Sequence, residues 1–217
     1  MLTAKLTIIL TIIHSTSFSE MLPILKKRVG VPPHEVLEEV IRTSHAKSLK
    51  TQSSPESAER EAPHLIWIVD PDPEMQTTSV YGDPQNKVMI LRSRGCSMEG
   101  VLDELDYAIL ELHSPVLLFS TSTEGATLQR REEFLATVEQ NIDEQVGMAV
   151  KRYNERIRNG RLWVLGSVYD TKNIYGRGHG RQIIININGE TGADILRKMP
   201  ITARMTPGDL DTGFGRK

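Results

Sequence analysis

Short apolar runs alternate with stretches of helical spacing along most of this chain. An uninterrupted apolar run is typical of a strand buried on both faces. Apolar residues at intervals of three and four are typical of an amphipathic helix. Strands are predicted at 65–69, 87–92, 116–119 and 162–169, with a late strand at 182–189. Helices are predicted at 97–113 and 130–158.

This alternation favours an α/β fold with a mostly parallel β-sheet flanked by helices, and with the late strand antiparallel at an edge. The predicted core domain spans 64–190, and residues 191–217 are predicted to be a tail of little periodicity. Residues 20–63 precede the core. They contain a helix that follows Pro32-Pro33 and runs to about residue 50, and a loop at 51–63 rich in Ser, Glu, Gln and Pro.

Residues 1–19 have the layout of a targeting segment. A short positive start is followed by an apolar run at 6–13 and by small polar residues. The run is too short for a membrane span, which takes about 20 residues. The alternative is a terminal strand or helix that packs on a partner. The compartment stays open, and no integral membrane span is expected anywhere in the chain.

Composition and charge narrow the function classes. The chain has 217 residues, of which 39% are hydrophobic, and this length suits one α/β domain with a sizeable core. The formal net charge of -2 offers no electrostatic attraction for nucleic acid. Aromatic residues make up only 5%, which also argues against surfaces that stack on bases.

A single cysteine, Cys96, excludes an internal disulfide and any cysteine-rich zinc site. The favoured interpretation is a small buried apolar residue. A reactive thiol would need a depressed pKa, and Arg92 and Arg94 are close enough in sequence to keep that alternative open.

Two segments carry acids directly after predicted strands. The first strand leads into Asp70-x-Asp72-x-Glu74, and the third leads into Thr121-x-x-Glu124. Their order and spacing resemble the two metal-binding segments of the β-class carbonic anhydrases, which carry C-x-D-x-R and H-x-x-C. The alternative is a solvated loop, since Asp-Pro-Asp-Pro is ordinary turn chemistry.

Three further stretches support the resemblance, which covers roughly residues 36–189. Residues 81–95 resemble the family's passage from a Gly-Asp turn into a strand that ends in Arg-x-x-Gly. Residues 105–109 resemble its Leu-Glu-Tyr-Ala-Val helix, and 160–170 resemble its near-terminal strand. The resemblance implies a β-carbonic-anhydrase-like domain in which 20–63 form an N-terminal helical arm. Family members exchange such arms between subunits, so the resemblance also implies an oligomer.

The residues at the ligand positions depart from the family. Zinc there is held by two cysteines and a histidine, but these positions hold Asp70, Glu124 and Thr121. Two carboxylates and a neutral hydroxyl form a hard oxygen site that suits Mg²⁺, Ca²⁺ or Mn²⁺ better than zinc, and so few ligands would hold none tightly. No metal cofactor is therefore expected.

The family's catalytic dyad is also altered. Asp72 is the retained acid, whereas its partner position holds Glu74 instead of arginine. Together with the acids at the two ligand positions, four carboxylates would crowd one pocket and raise each other's pKa. Arg92 and Arg94 are candidate counter-ions. The helix predicted from about Gln129 starts soon after the second segment, which leaves a wall of the family's usual cleft missing.

Two functions follow from these expectations. The favoured one is a β-carbonic-anhydrase-like protein without the usual zinc ligands, which is non-catalytic and acts as an oligomeric or accessory structural subunit. Its partners would be copies of itself or a related subunit. The alternative is an active carbonate dehydratase, hydrating CO₂ at a substituted metal site of Asp70, Asp72 and Glu124, with zinc if that site holds one.

Overall fold

The computed structural model describes residues 38, 41–42, 62–72, 75 and 88–216, and in this part of the chain it contains a five-stranded sheet. The strands are β1 (Leu65–Val69), β2 (Val88–Arg92), β3 (Val116–Ser122), β4 (Trp163–Asp170) and β5 (Arg181–Ile187). Their order in the sheet is β2-β1-β3-β4-β5. The first four strands are parallel, and β5 is antiparallel to β4 at the edge. The predicted fold class and the antiparallel edge strand are confirmed.

The helices flank this sheet. They are α1 (Leu102–Asp106), continued by a π-helical turn at Tyr107–Glu111, α2 (Arg131–Arg152), α3 (Asn154–Arg158), α4 (Ala193–Leu196) and α5 (Pro207–Gly213). Short 3₁₀ turns lie at Arg94–Cys96, Glu99–Val101, Leu128–Arg130 and Pro200–Thr202. The single helix predicted at 130–158 is interrupted at Tyr153, whose backbone leaves the helical region and whose hydroxyl donates to Asp106 at 2.8 Å.

One face of the sheet packs on α1 and α2. Along β1, Ile66 and Ile68 point to this face and are fully buried. Helix α2 closes on β4 at Gly166, where a Cβ would overlap Ile142 and lie 3.0 Å from Val146 Cγ2. A glycine at this position therefore sets the close approach of helix and strand.

The other face carries two smaller apolar clusters. One lies over β1 and β3, and its buried members are Leu65, Trp67, Val69, Met75, Leu118 and Tyr169. The second lies over β5 and is built by Ile187, Leu196 and Phe214. Residues 191–216, expected from the sequence to be a tail of little periodicity, thus contribute α4 and α5 to a core cluster.

The predicted N-terminal segments fall almost wholly outside the described residues. This applies to the candidate targeting segment 1–19 and to the loop at 51–61. Of the predicted arm helix, residues 38, 41 and 42 are described, and all three are helical and exposed. Within the described part of the chain, none of the helices has the length and apolar character needed to cross a membrane.

Candidate functional site

The two acidic segments meet at the carboxyl edge of the sheet. β1 and β3 are parallel neighbours in which Val69 lies opposite Ser120. Asp70 follows β1 directly, and Thr121 lies near the end of β3. The strands of an open α/β sheet present ligand-binding residues at this edge. β3 extends to Ser122, so Thr121 is a strand residue rather than the loop residue that the apolar run predicted.

Asp70 lies at the centre of the site formed by the carboxyl ends of β1 and β3, with only 4% of its surface exposed. Its Oδ1 accepts a hydrogen bond from the backbone N–H of Gly95 at 2.5 Å, and its Oδ2 accepts one from the Thr121 hydroxyl. Burial raises the pKa of Asp70, against the opposing effect of these hydrogen bonds, and the nearby Asp72 raises it further. Both carboxylate oxygens are therefore used within the chain.

Cys96 lies against the same carboxylate, which sequence reasoning missed. Its Sγ is 3.8 Å from Asp70 Oδ2, 3.3 Å from Thr121 Oγ1 and 2.7 Å from the Ser120 carbonyl oxygen, to which the thiol donates. The residue is fully buried, and that burial raises its pKa well above the ordinary value. The interpretation as a buried residue is confirmed. The signal for its place in the site was the position just beyond β2, whose carboxyl end lies at this same edge.

Asp72 is also buried, at 3% exposure, and accepts a hydrogen bond from the Ser122 hydroxyl. The two described acids of the first segment, Asp70 and Asp72, are buried, so the alternative of a solvated loop is wrong at these two positions. The dyad-partner position, Glu74, lies outside the described residues.

The candidate counter-ion Arg92 binds the backbone of the first acidic segment. Its guanidinium donates to the carbonyl oxygens of Asp70 at 3.3 Å, Asp72 at 3.5 Å and Met75 at 3.2 Å. Several donors on one planar group suit this multiple capture of carbonyls. Arg92 thus holds the backbone of Asp70, Asp72 and Met75, and Arg94 lies exposed two residues later.

Glu124 is held by residues that sequence reasoning did not identify. Its Oε1 lies 2.8 Å from the Lys172 ammonium, and its Oε2 accepts from the Thr171 hydroxyl at 3.3 Å. About a third of its side chain is exposed (35%), so the pair is in contact with solvent. Lys172 and Thr171 follow β4, which ends beside β3 at the same sheet edge. That adjacency exists only once the strand order is known.

The donor set does not fit a zinc ion. Zinc sites in proteins use thiolate, imidazole or carboxylate ligands with a free lone pair aimed at the metal. Here the Asp70 oxygens accept hydrogen bonds, the Glu124 carboxylate is paired with a cation, and Thr121 offers a neutral hydroxyl. Within the ranges that the structure describes, no group of three histidine, cysteine, aspartate or glutamate side chains is arranged to hold a metal.

Among the comparisons with known proteins, the search of solved structures found similar proteins and the two others did not. No family model matches the chain, and no curated protein matches it. A tetrameric β-carbonic anhydrase from the ascomycete Sordaria macrospora superposes with a TM-score of 0.55 and 14% identity, over 70% of this chain and 98% of that one. The chain has the β-carbonic anhydrase fold.

Two further solved structures agree with this assignment. A Coccomyxa β-carbonic anhydrase in complex with acetazolamide has a TM-score of 0.50 and 16% identity, over 78% of this chain and 92% of that chain. The β-carbonic anhydrase CafA of Aspergillus fumigatus has the same TM-score and identity, over 69% and 90%. The β-carbonic anhydrase fold predicted from the motifs is confirmed.

Proposed function

We propose that this chain is a non-catalytic β-carbonic-anhydrase-like protein that acts as a structural subunit of an oligomer. One observation carries the proposal. The positions that resemble the family's zinc ligands hold Asp70, Thr121 and Glu124, and all three have their polar atoms engaged by neighbours in the same chain.

The chemistry of CO₂ hydration supports a non-catalytic role. Attack on CO₂ at neutral pH needs hydroxide, which a strongly Lewis-acidic metal generates by lowering the pKa of bound water. Asp70 is buried with a raised pKa, so burial opposes the anionic form that a metal would require. Glu124 would also have to give up its contact with Lys172 before it could bind a cation.

An assembly role rests on different support. The Sordaria macrospora protein is described as tetrameric. Several large apolar side chains are exposed in this chain, and between residues 88 and 216 they are Tyr107, Leu110, Met148, Ile195 and Met205. We propose that the oligomer contains copies of this chain or a related subunit, and that no metal cofactor is needed to form it.

Metal content and activity test the non-catalytic role. The purified chain should contain less than stoichiometric zinc after mild dialysis and should not accelerate CO₂ hydration in a stopped-flow assay. Stoichiometric metal with activity that is lost in Glu124→Ala but kept in Glu132→Ala, which changes an exposed acid on α2, would establish the active dehydratase instead.

Light scattering coupled to size-exclusion chromatography tests the assembly role. The expected mass is at least twice the chain mass of 24.4 kDa, either for the chain alone or for a complex when it is mixed with a related subunit. A chain that stays monomeric at high concentration and retains no partner in a pull-down would count against assembly.

A further inference from the structure

Helix α1 and the π-helical turn that continues it have an exposed outer face. Its residues recur at intervals of three and four, as on one side of a helix. On the opposite side, Ala108 and Ile109 are fully buried in the core cluster. The exposed residues are Asp103, Glu104, Tyr107, Leu110 and Glu111. We call this surface the π-turn face.

Two large apolar side chains lie on the π-turn face. Tyr107 is 56% exposed and Leu110, three positions later, is 44% exposed. Burying such side chains stabilises a protein, so part of this contribution is not used in the free chain. Tyrosine is also enriched among the residues that dominate protein–protein binding. The π-turn face therefore has the apolar centre that a docking surface needs.

The backbone of the same segment departs from a regular helix end. The Leu112 N–H donates to the Tyr107 carbonyl oxygen at 3.0 Å, a bond that spans five residues, as in a π-helix. His113 follows with a φ of +62°, in the left-handed region that favours glycine. Both features are less favourable than a regular helix end, and such departures are concentrated at functional sites. They lie directly beside the exposed Tyr107 and Leu110.

The charge on the π-turn face is negative. Residues 95–129 contain no lysine or arginine, and three acids on the face are exposed. Two of them lie in the first turn of α1, where the helix dipole stabilises negative charge. Glu111 lies at the other end, where the dipole opposes it, so the stability of the helix does not explain this acid. Arg152 reaches α1 from α2, but it pairs with Asp106 and not with these acids.

We propose that the π-turn face docks a helix of a partner protein that carries apolar residues at intervals of three and four, with lysine or arginine beside them. The apolar residues of that helix pack on Tyr107 and Leu110, and its cations face the three exposed acids. Charge complementarity selects this occupant, since a helix with acidic flanks would be repelled. The proposal rests on the proposed role as an accessory subunit, and it adds the surface and the chemistry of the partner.

A synthetic helical peptide with leucines at those intervals and lysines beside them is the probe. Its affinity for the purified chain is measured by fluorescence anisotropy, and a peptide with glutamate in place of lysine is the control for charge. The lysine peptide should bind at least about tenfold more tightly than the glutamate peptide. Its affinity should fall as salt is raised, because exposed charges are screened. Equal binding of the two peptides, or no binding of the lysine peptide, would overturn the proposal.

Substitutions on the π-turn face separate its apolar part from its charged part. Leu110→Ser and Glu111→Lys should each weaken binding of the lysine peptide about tenfold. Ile195→Ser is the matched apolar control, since Ile195 is 51% exposed on α4, and Glu132→Lys changes an exposed acid on α2. Both controls should bind as the parent does. All four side chains are exposed, so thermal denaturation should show each variant folded. Equal weakening in variants and controls would mean that the peptide does not bind at this face.

A second copy of the chain is the alternative occupant of the π-turn face, and light scattering separates it from a partner helix. Leu110→Ser should keep the mass of the parent. A fall to the mass of a single chain in Leu110→Ser, but not in Ile195→Ser, would show that the face joins copies and would overturn the proposal. The parent's own mass, zinc content and activity decide the proposed function separately, because none of them depends on the peptide.

Discussion

The Thr121 hydroxyl donates a hydrogen bond to the Asp70 carboxylate across 51 positions of sequence. Both residues are at positions where the sequence resemblance predicts the metal ligands of the β-carbonic anhydrases. The parallel pairing of β1 and β3 brings them together. The side chains of Asp70 and Thr121 therefore bind each other at this end of the sheet.

Burial of Asp70 makes the stability of the protein depend on pH. Its raised pKa means that the folded state keeps a proton at pH values where the unfolded chain, with an ordinary value of 3.8, has lost it. Stability from this group therefore falls as pH rises from about 3.8 through the folded pKa. Asp70→Asn removes that loss, so we expect the variant to gain stability relative to the parent at pH 7 and to lose the advantage near pH 3.5.

Urea denaturation at a series of pH values measures this difference. Asp72→Asn is the neighbouring comparison, since it changes a buried acid of the same loop. An Asp70→Asn variant that is less stable than the parent at every pH would contradict this account. It would show that the hydrogen bonds to the carboxylate stabilise the fold more than burial of its charge destabilises it.

Asp106 should behave in the opposite way. Hydrogen bonds from Arg152 lower its pKa, and the Arg152 Nε and the Tyr153 hydroxyl each lie 2.8 Å from its Oδ1. Its contribution is present above the unfolded pKa and is lost as pH falls through the folded pKa. Because the pair is partly exposed, Asp106→Asn should cost about 1 kcal/mol at pH 7. The cost should vanish in acid, and a cost that persists at low pH would contradict the ionic account.

The contact of α2 with β4 depends on Gly166. Gly166→Ala would place a Cβ on Ile142, 3.0 Å from Val146 Cγ2 and 3.2 Å from Asn186 Cβ, so we expect a loss of about 1–3 kcal/mol from overpacking. Gly147→Ala is the control on the helix itself, because a Cβ there has open space. It should stabilise the protein by about 0.5–1 kcal/mol. Thermal denaturation of the two variants would show opposite shifts, and a neutral Gly166→Ala would mean that α2 moves away readily.

Restoring the family's ligands should restore zinc. A variant with Asp70→Cys, Thr121→His, Glu124→Cys and Glu74→Arg carries two thiolates and an imidazole, a three-ligand set with one open position. We expect zinc binding in this variant and none in the parent, measured by dialysis and metal analysis. Hydration activity should remain weak, since no surrounding contacts were arranged for zinc. A folded variant without zinc would show that position 124 does not converge with positions 70 and 121.

The sequence-based predictions failed where the environment of a residue depends on a partner far away in the sequence. Periodicity located the strands and the main helices because each pattern is local. The end of β3 was missed because Ser120 is polar, yet it is buried with a partner on another strand, the Trp67 indole at 2.8 Å. A polar residue resembles a loop residue until such a partner is known.

The sequence by itself determined the strand order along the chain, the apolar faces and the acids at the strand ends, since these depend on residue type and spacing alone. Only the tertiary structure decided what those acids contact. Cys96 reaches Asp70, Lys172 pairs with Glu124, and residues 207–216 cross β5 because the sheet order brings separate strand ends and edges together. Such contacts are set by the packing of the whole sheet, which no local pattern records.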